Sequence, residues 1–291
     1  MAQVSVACAK LEQLTTLKLN GLGFGAEGAT GLAVGLRGCA ALTHLDLSSN
    51  ALGDAGTQLC AAFPLCTNLT DLQLSDNQFC GKLGGKMVSA GLGSWDPERD
   101  LAPQVRSALT RLNVSGNKLE KEAWVLCAGL RNCTRLSFLD MSKSMFRDNA
   151  MQNMCGMLPA ASLTHLELST NMLGIVDPKF VAAVLQELTC LRRLGLADNH
   201  LKDQGAVLLG RDVLPRLSVL SDLDLAGNSV GDEGAVCLAS TLGECVELRS
   251  IVLTRNKLGT KGCAALRAAL DAIEDRASLI ALDIRFNAGP K

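Results

Sequence analysis

The residues best suited to chemistry in this sequence are His44 and His165, each followed two positions later by an acid, Asp46 and Glu167. An imidazole beside a carboxylate can move a proton or hold a metal ion near neutral pH. The two pairs occupy the same place in units that lie four repeats apart, so at ~4.8 Å per strand the rings stand roughly 20 Å apart and cannot share a zinc ion. Cysteine offers a second chemistry, and there are twelve. Cys39, Cys66, Cys133 and Cys245 each fall three residues before the leading leucine of a repeat, while Cys60, Cys127, Cys155, Cys237 and Cys263 fall in helical stretches. No C-x-x-C pair exists to support a redox motif or a zinc ribbon, so reduced, buried packing residues are expected. The reading is of a chain with no catalytic, cofactor-binding or metal-binding residue.

The elements that carry these residues repeat. The pattern L-x-x-L-x-L-x-x-N-x-L recurs about every 28 residues, with leading leucines at 14, 42, 69, 109, 136, 163, 191, 220, 248 and 279, or ten units. Within one unit Leu45 and Leu47 alternate with His44, Asp46 and Ser48, the period-two signature of a short strand with one buried face. Asparagine follows the strand in eight units, as Asn50, Asn77, Asn117, Asn171, Asn199, Asn228, Asn256 and Asn287, with Leu22 and Ser144 in the other two. Its amide both donates and accepts, which suits it to satisfying backbone groups where a ladder ends. Segments such as GDEGAVCLASTLGEC then space Ala235, Leu238, Ala239 and Leu242 as one helical face. Strand, bend, helix and loop make a unit that cannot bury its faces alone, so units must stack. The expected fold is α/β: a curved right-handed solenoid of about ten repeats, with a parallel β-sheet on the concave side and helices on the convex side.

These residues resemble the ribonuclease-inhibitor-like leucine-rich repeats over about residues 11 to 289. The group includes Ran GTPase-activating proteins, the repeats of NOD-like receptors, tropomodulin-like actin proteins and axonemal subunits. The resemblance implies a non-catalytic scaffold for protein–protein interaction, a subunit or adaptor of a larger intracellular assembly that is cytoskeletal, ciliary or organellar. It offers as an alternative a GTPase-activating protein for a Ran-like small GTPase, with Arg111 and the asparagines as generic candidates. No G-x-x-x-x-G-K-[ST] occurs that would bind nucleotide.

Binding residues are expected at the second, fourth, sixth and seventh positions after each leading leucine, which face away from the core. They include Asp46, Asp71, Asp76, Arg111, Asp140, Glu167, Arg193, Asp222, Asp224, Arg255, Asp283 and Arg285. Asp46, Asp71, Asp222 and Asp224 would attract a basic partner loop. A third unit of 40 residues carries an insertion at about 92–105 whose Trp95 and Arg99 are further candidates for contact. Residues 1–13 read as a capping segment ahead of a repeat domain over 14–291, and the last strand as an edge that a partner could cover. With 28 basic and 29 acidic residues, a net charge of −1 and no long apolar run, the partners expected are proteins, with no nucleic acid and no membrane insertion. The expected location is cytoplasmic, with cytoskeletal or axonemal settings included.

Overall fold

Each repeat begins with the strand that the alternation predicts, and every strand is three residues long with an apolar residue at its centre. In a computed structural model these strands are β1 (Thr16–Lys18), β2 (His44–Asp46), β3 (Asp71–Gln73), β4 (Arg111–Asn113), β5 (Phe138–Asp140), β6 (His165–Glu167), β7 (Arg193–Gly195), β8 (Asp222–Asp224), β9 (Ser250–Val252) and β10 (Ala281–Asp283). The structure describes residues 12–53, 56–60, 62–80, 107–120, 123–130, 133–154, 156–175, 177–272 and 281–287. The expected capping segment and the 92–105 insertion, with Trp95 and Arg99, lie outside the described residues.

Two compact units divide the chain: Met1–Met145 with Met157–Leu163, and Phe146–Gly156 with Thr164–Lys291. In the first, β1 to β5 pair in parallel and in chain order, with equivalent positions in register, so that His44, Asp71, Arg111 and Phe138 stand side by side. In the second, β6 to β10 do the same and align His165, Arg193, Asp222, Ser250 and Ala281. Leu45, Leu72, Leu112 and Leu139 in one unit, and Leu166, Leu194, Leu223 and Ile251 in the other, are buried beneath those rows. This is the parallel strand-and-helix stack that the sequence leads one to expect.

The chain returns from each strand through a helix, among them α1 (Gly25–Leu36), α2 (Gly56–Cys60), α3 (Ala123–Leu130), α4 (Asp148–Met154), α5 (Lys179–Leu185), α6 (Lys202–Leu208), α7 (Asp232–Thr241) and α8 (Thr260–Asp271). The asparagines follow the strands and, from Asn50 to Asn256, are buried. Asn228 shows their work: its Nδ2 donates to the carbonyls of Leu196 and Leu225, and its Oδ1 accepts the backbone N–H of Asn199 and of Leu201. Asn77, Asn117 and Asn256 bind the preceding repeat in the same way. Such amide ladders satisfy backbone groups that no strand or helix can reach. Ser144 is fully buried at the equivalent bend, and its hydroxyl donates to the Ser142 carbonyl.

A second ladder, of hydroxyls, runs along the strand entries. Thr43, Thr70, Thr110 and Ser137 each donate to the carbonyl of the equivalent residue one repeat back, Thr15, Thr43, Thr70 and Thr110. Helix starts are also shared between repeats. Asp203 in α6 accepts the N–H groups of Gly231 and Gly234 at the start of α7, and Asp232 in α7 accepts those of Gly259 and Gly262 at the start of α8. A carboxylate placed there pairs orphan amides and meets the positive end of the helix dipole. Glycine is required at the receiving positions, since a Cβ on Gly234 would come within 2.8 Å of the Asp203 carboxylate.

Candidate functional site

Two rows of outward side chains cross the strands of each unit, one at the first residue of every strand and one at the third, and a further row follows from the turns. The first-residue row of the amino-terminal unit is chemically varied. His44 is exposed, and its Nδ1 lies 2.7 Å from the Thr43 hydroxyl. Asp71 Oδ1 accepts a 2.6 Å bond from Gln73 Nε2, while Asp71 Oδ2 lies 3.6 Å from Arg111 Nε. The Arg111 guanidinium sits 4.1 Å from the centre of the Phe138 ring, a cation–π contact. In the second unit Arg193 Nε lies 3.4 Å from Asp222 Oδ2, and the Ser221 hydroxyl donates to that same oxygen at 2.6 Å.

The third-residue row does a different job. Oδ1 of Asp46, Asp140, Asp224 and Asp283 accepts the backbone N–H two residues on, at Ser48, Ser142, Ala226 and Arg285, as Asn113 does for Ser115. These acids close the strand-exit turn in the manner of an Asx turn. The acids that the sequence singles out for a basic partner thus all have internal bonds: Asp71 and Asp222 to neighbouring arginines, Asp46 and Asp224 to the backbone. Glu167, in the same row, packs its carboxylate against Gly195, where any Cβ would collide with it.

The turn residues take positive φ. Asp76 (54°) leans over Gly116, and Asp198 (53°) leans over Gly227. Gly227 has φ 64°, and Arg255 Nη2 reaches across it to Asp198 Oδ2 at 3.0 Å. Arg285 grips Asp283 with two bonds, of 2.6 and 2.9 Å, and holds its carboxyl below the usual carboxylate range. Phe286, beside that pair, is 78% exposed. Among the described residues no three of His, Cys, Asp or Glu converge as metal ligands, and no helix is long and apolar enough to cross a membrane.

Most of the described cysteines are packing residues, while Cys155 lies outside the described residues. Cys39, Cys60, Cys66, Cys127, Cys133, Cys245 and Cys263 are buried, whereas Cys80 is exposed and Cys190 and Cys237 are half-buried. Burial pushes the Cys60 thiol up to about 12. It pushes Cys66 up to about 11, with the Cys39 thiol adding to the effect. Cys133 also rises to about 11, held back in part by a hydrogen bond with Ser107, and Cys127 is raised by burial alone. A nucleophile needs thiolate, and these thiols withhold it.

Known proteins share this architecture. A family described as Leucine Rich repeat matches residues 38–58, 65–87, 187–210 and 217–239. Over 263 residues the chain is 29% identical to the NACHT, LRR and PYD domains-containing protein 12 of Mus musculus, a match to 77% of this chain and 23% of that protein. The Sus scrofa ribonuclease inhibitor is 30% identical over 267 residues, 81% of this chain and 56% of its own, and the Mus musculus ribonuclease inhibitor is 27% identical over 277 residues, 84% and 59%. The chain is a leucine-rich-repeat protein of the ribonuclease-inhibitor-like type.

It spans less than two thirds of the length of each of these relatives. A TLR13 chain solved in complex with ssRNA13 superposes on 97% of this leucine-rich-repeat protein and 34% of itself, at a TM-score of 0.56 and 16% identity, which shows a shared fold. Leucine-rich-repeat solenoids are in general binding surfaces for other proteins. Two aromatic residues on the faces, Phe138 and Phe286, escape a reading of the sequence that sorts outward positions by charge. Phenylalanine at an outward strand position (Phe138) or in the turn that follows a strand (Phe286), in a chain only 3% aromatic, is the signal that marks them.

Proposed function

We propose that this leucine-rich-repeat protein is a non-catalytic scaffold that docks other proteins on its strand faces, as a subunit or adaptor in a larger intracellular assembly. The observation that carries the reading is the order of the first-residue rows: His, Asp, Arg and Phe stand in register on one unit, and His, Arg, Asp and Ser on the other. Outward side chains fixed at strand spacing form a rigid, chemically patterned surface that gives up little freedom on binding. Two relatives are named as inhibitors of ribonuclease, itself a protein, which agrees with this reading. A cytoplasmic setting, with cytoskeletal, ciliary or organellar assemblies as candidates, belongs to the same proposal. So do a second contact through Trp95 and Arg99 in the insertion and a partner on the last strand.

The GTPase-activating alternative gains nothing from these faces. Its generic candidates are Arg111, which lies on Phe138, and the asparagines, of which Asn77, Asn117, Asn228 and Asn256 spend both ends of their amides on the backbone ladder. The balanced charge of the chain gives no general attraction for a nucleic acid.

Native mass spectrometry of the protein drawn from its source cell should find it in stoichiometric company. Asp222→Lys combined with Asp224→Lys should then deplete that company in a pull-down. A protein that leaves the cell alone, or partners indifferent to both the charge reversals and Trp95→Ala, would sink the scaffold reading.

A further inference from the structure

The sequence suggests an acidic face waiting for a basic loop. The structure shows the acids largely spent on internal bonds and one arginine held ready. Arg111 stands in the first-residue row with its guanidinium 4.1 Å from the Phe138 ring centre, and its one described ion pair, to Asp71, engages Nε at 3.6 Å. Asp71 is tethered in turn by Gln73 through its other oxygen. Among the described residues no acceptor lies within hydrogen-bond distance of the Arg111 Nη atoms, and the side chain is 49% exposed.

We infer that Arg111 anchors a carboxylate presented by a protein partner, and that Phe138 supplies a ledge for an apolar group beside it. This rests on the protein-binding reading above. A guanidinium offers its N–H groups in its own plane, and a ring centred 4.1 Å from its carbon steadies the arginine without consuming a donor. The Nε side faces Asp71, and the two terminal nitrogens remain for a two-bonded contact with a planar anion, which an aspartate, a glutamate or a chain terminus supplies. The neighbouring third-residue positions do not oppose this strongly. Asn113, on the same strand, is uncharged, and Asp140 on the next strand commits Oδ1 to the Ser142 N–H and hydroxyl. Arginine beside an aromatic side chain is also the composition of an interface hot spot. Phosphate would fit the same fork, and the test separates it from a carboxylate.

The test is selection of a random dodecapeptide phage library on the immobilised full chain, followed by fluorescence anisotropy with synthetic versions of the selected peptides. Peptides should emerge with Asp or Glu close to Leu, Ile or Phe. Arg111→Ala should weaken them about tenfold or more, Arg111→Lys by less but measurably because it keeps the charge and loses the fork, and Phe138→Leu by several-fold. Arg135→Ala, an exposed arginine ahead of β5, should leave them unchanged, and circular dichroism should show every variant folded. Inorganic phosphate at millimolar concentration should compete poorly with an acidic peptide. Selected peptides that are basic, affinity within about twofold of wild type after Arg111→Ala, or displacement by phosphate alone would each overturn the anchor. If peptides bound but no substitution on either strand face affected them, the broader scaffold reading would fall as well.

Discussion

At the scale of the single residue, one side-chain type serves two ends, and only its surroundings tell them apart. Aspartate at the third strand position looks the same in sequence whether it meets a partner or closes a turn; Asp46, Asp140, Asp224 and Asp283 close turns, each accepting the N–H two residues on. The asparagines were legible because their position recurs and their chemistry fits one place. The Arg111–Phe138 stack was not, because it depends on the path a flexible side chain takes across 27 residues of sequence. The cysteines were legible as fillers, and that role makes a prediction. Brief N-ethylmaleimide treatment of the folded protein at pH 7.5, read by peptide mass spectrometry, should label Cys80 and spare Cys60, Cys66, Cys127 and Cys133. Burial raises the folded-state values of those four above the ordinary thiol value of 9.0, so their contribution to stability is complete below pH 9, and that of Cys60, Cys66 and Cys133 is lost as pH rises toward about 11 to 12. Denaturant midpoints should fall over that window. Modification of Cys60 as fast as Cys80 in native buffer would contradict the packing account.

At the scale of the element, the leucine period reveals the strands, while the bonds between elements stay hidden. Leucine alternation is a local pattern and can be read in a window of ten residues. The start of α7, in contrast, is capped by Asp203, which lies about one repeat earlier in the chain, and the start of α8 by Asp232. In the sequence these acids serve equally well as first-turn residues of their own helices. Asp203→Ala removes one acceptor from two helix-start amides and should lower stability by about 1 to 2 kcal/mol in urea unfolding. Asp203→Asn, which keeps the oxygen and loses the charge, should recover a good part of that. A loss below about 0.3 kcal/mol for the alanine variant would show that water replaces the cap at no cost.

At the scale of the whole molecule, repeats within a unit complete the hydrogen bonding of the one before, as Asn77 and Asn117 do in the first unit and Asn228 and Asn256 in the second, so damage should travel by adjacency. Asn228→Ala would strip the Asn199 and Leu201 amides of their acceptor and the Leu196 and Leu225 carbonyls of a donor. A loss of about 3 kcal/mol is expected, since buried groups left unpaired cost about 1 to 3 kcal/mol each and some relaxation follows. Hydrogen exchange should accelerate in β7 and β8 and fade with distance along the second unit, as nearest-neighbour coupling requires. Equal acceleration from β6 to β10 would mean that the repeats of that unit open as one block. One feature departs from this neighbour-to-neighbour rule. Arg255 reaches over Gly227 to Asp198, so the repeats on either side recognise each other across the one between them. Anyone who splices repeats to build chimeras therefore inherits a grammar here: the middle repeat must keep its glycine, because a Cβ at that place would run into the Asp198 carboxylate of the repeat before, and the clamp that Asp198 makes with the repeat after would go with it.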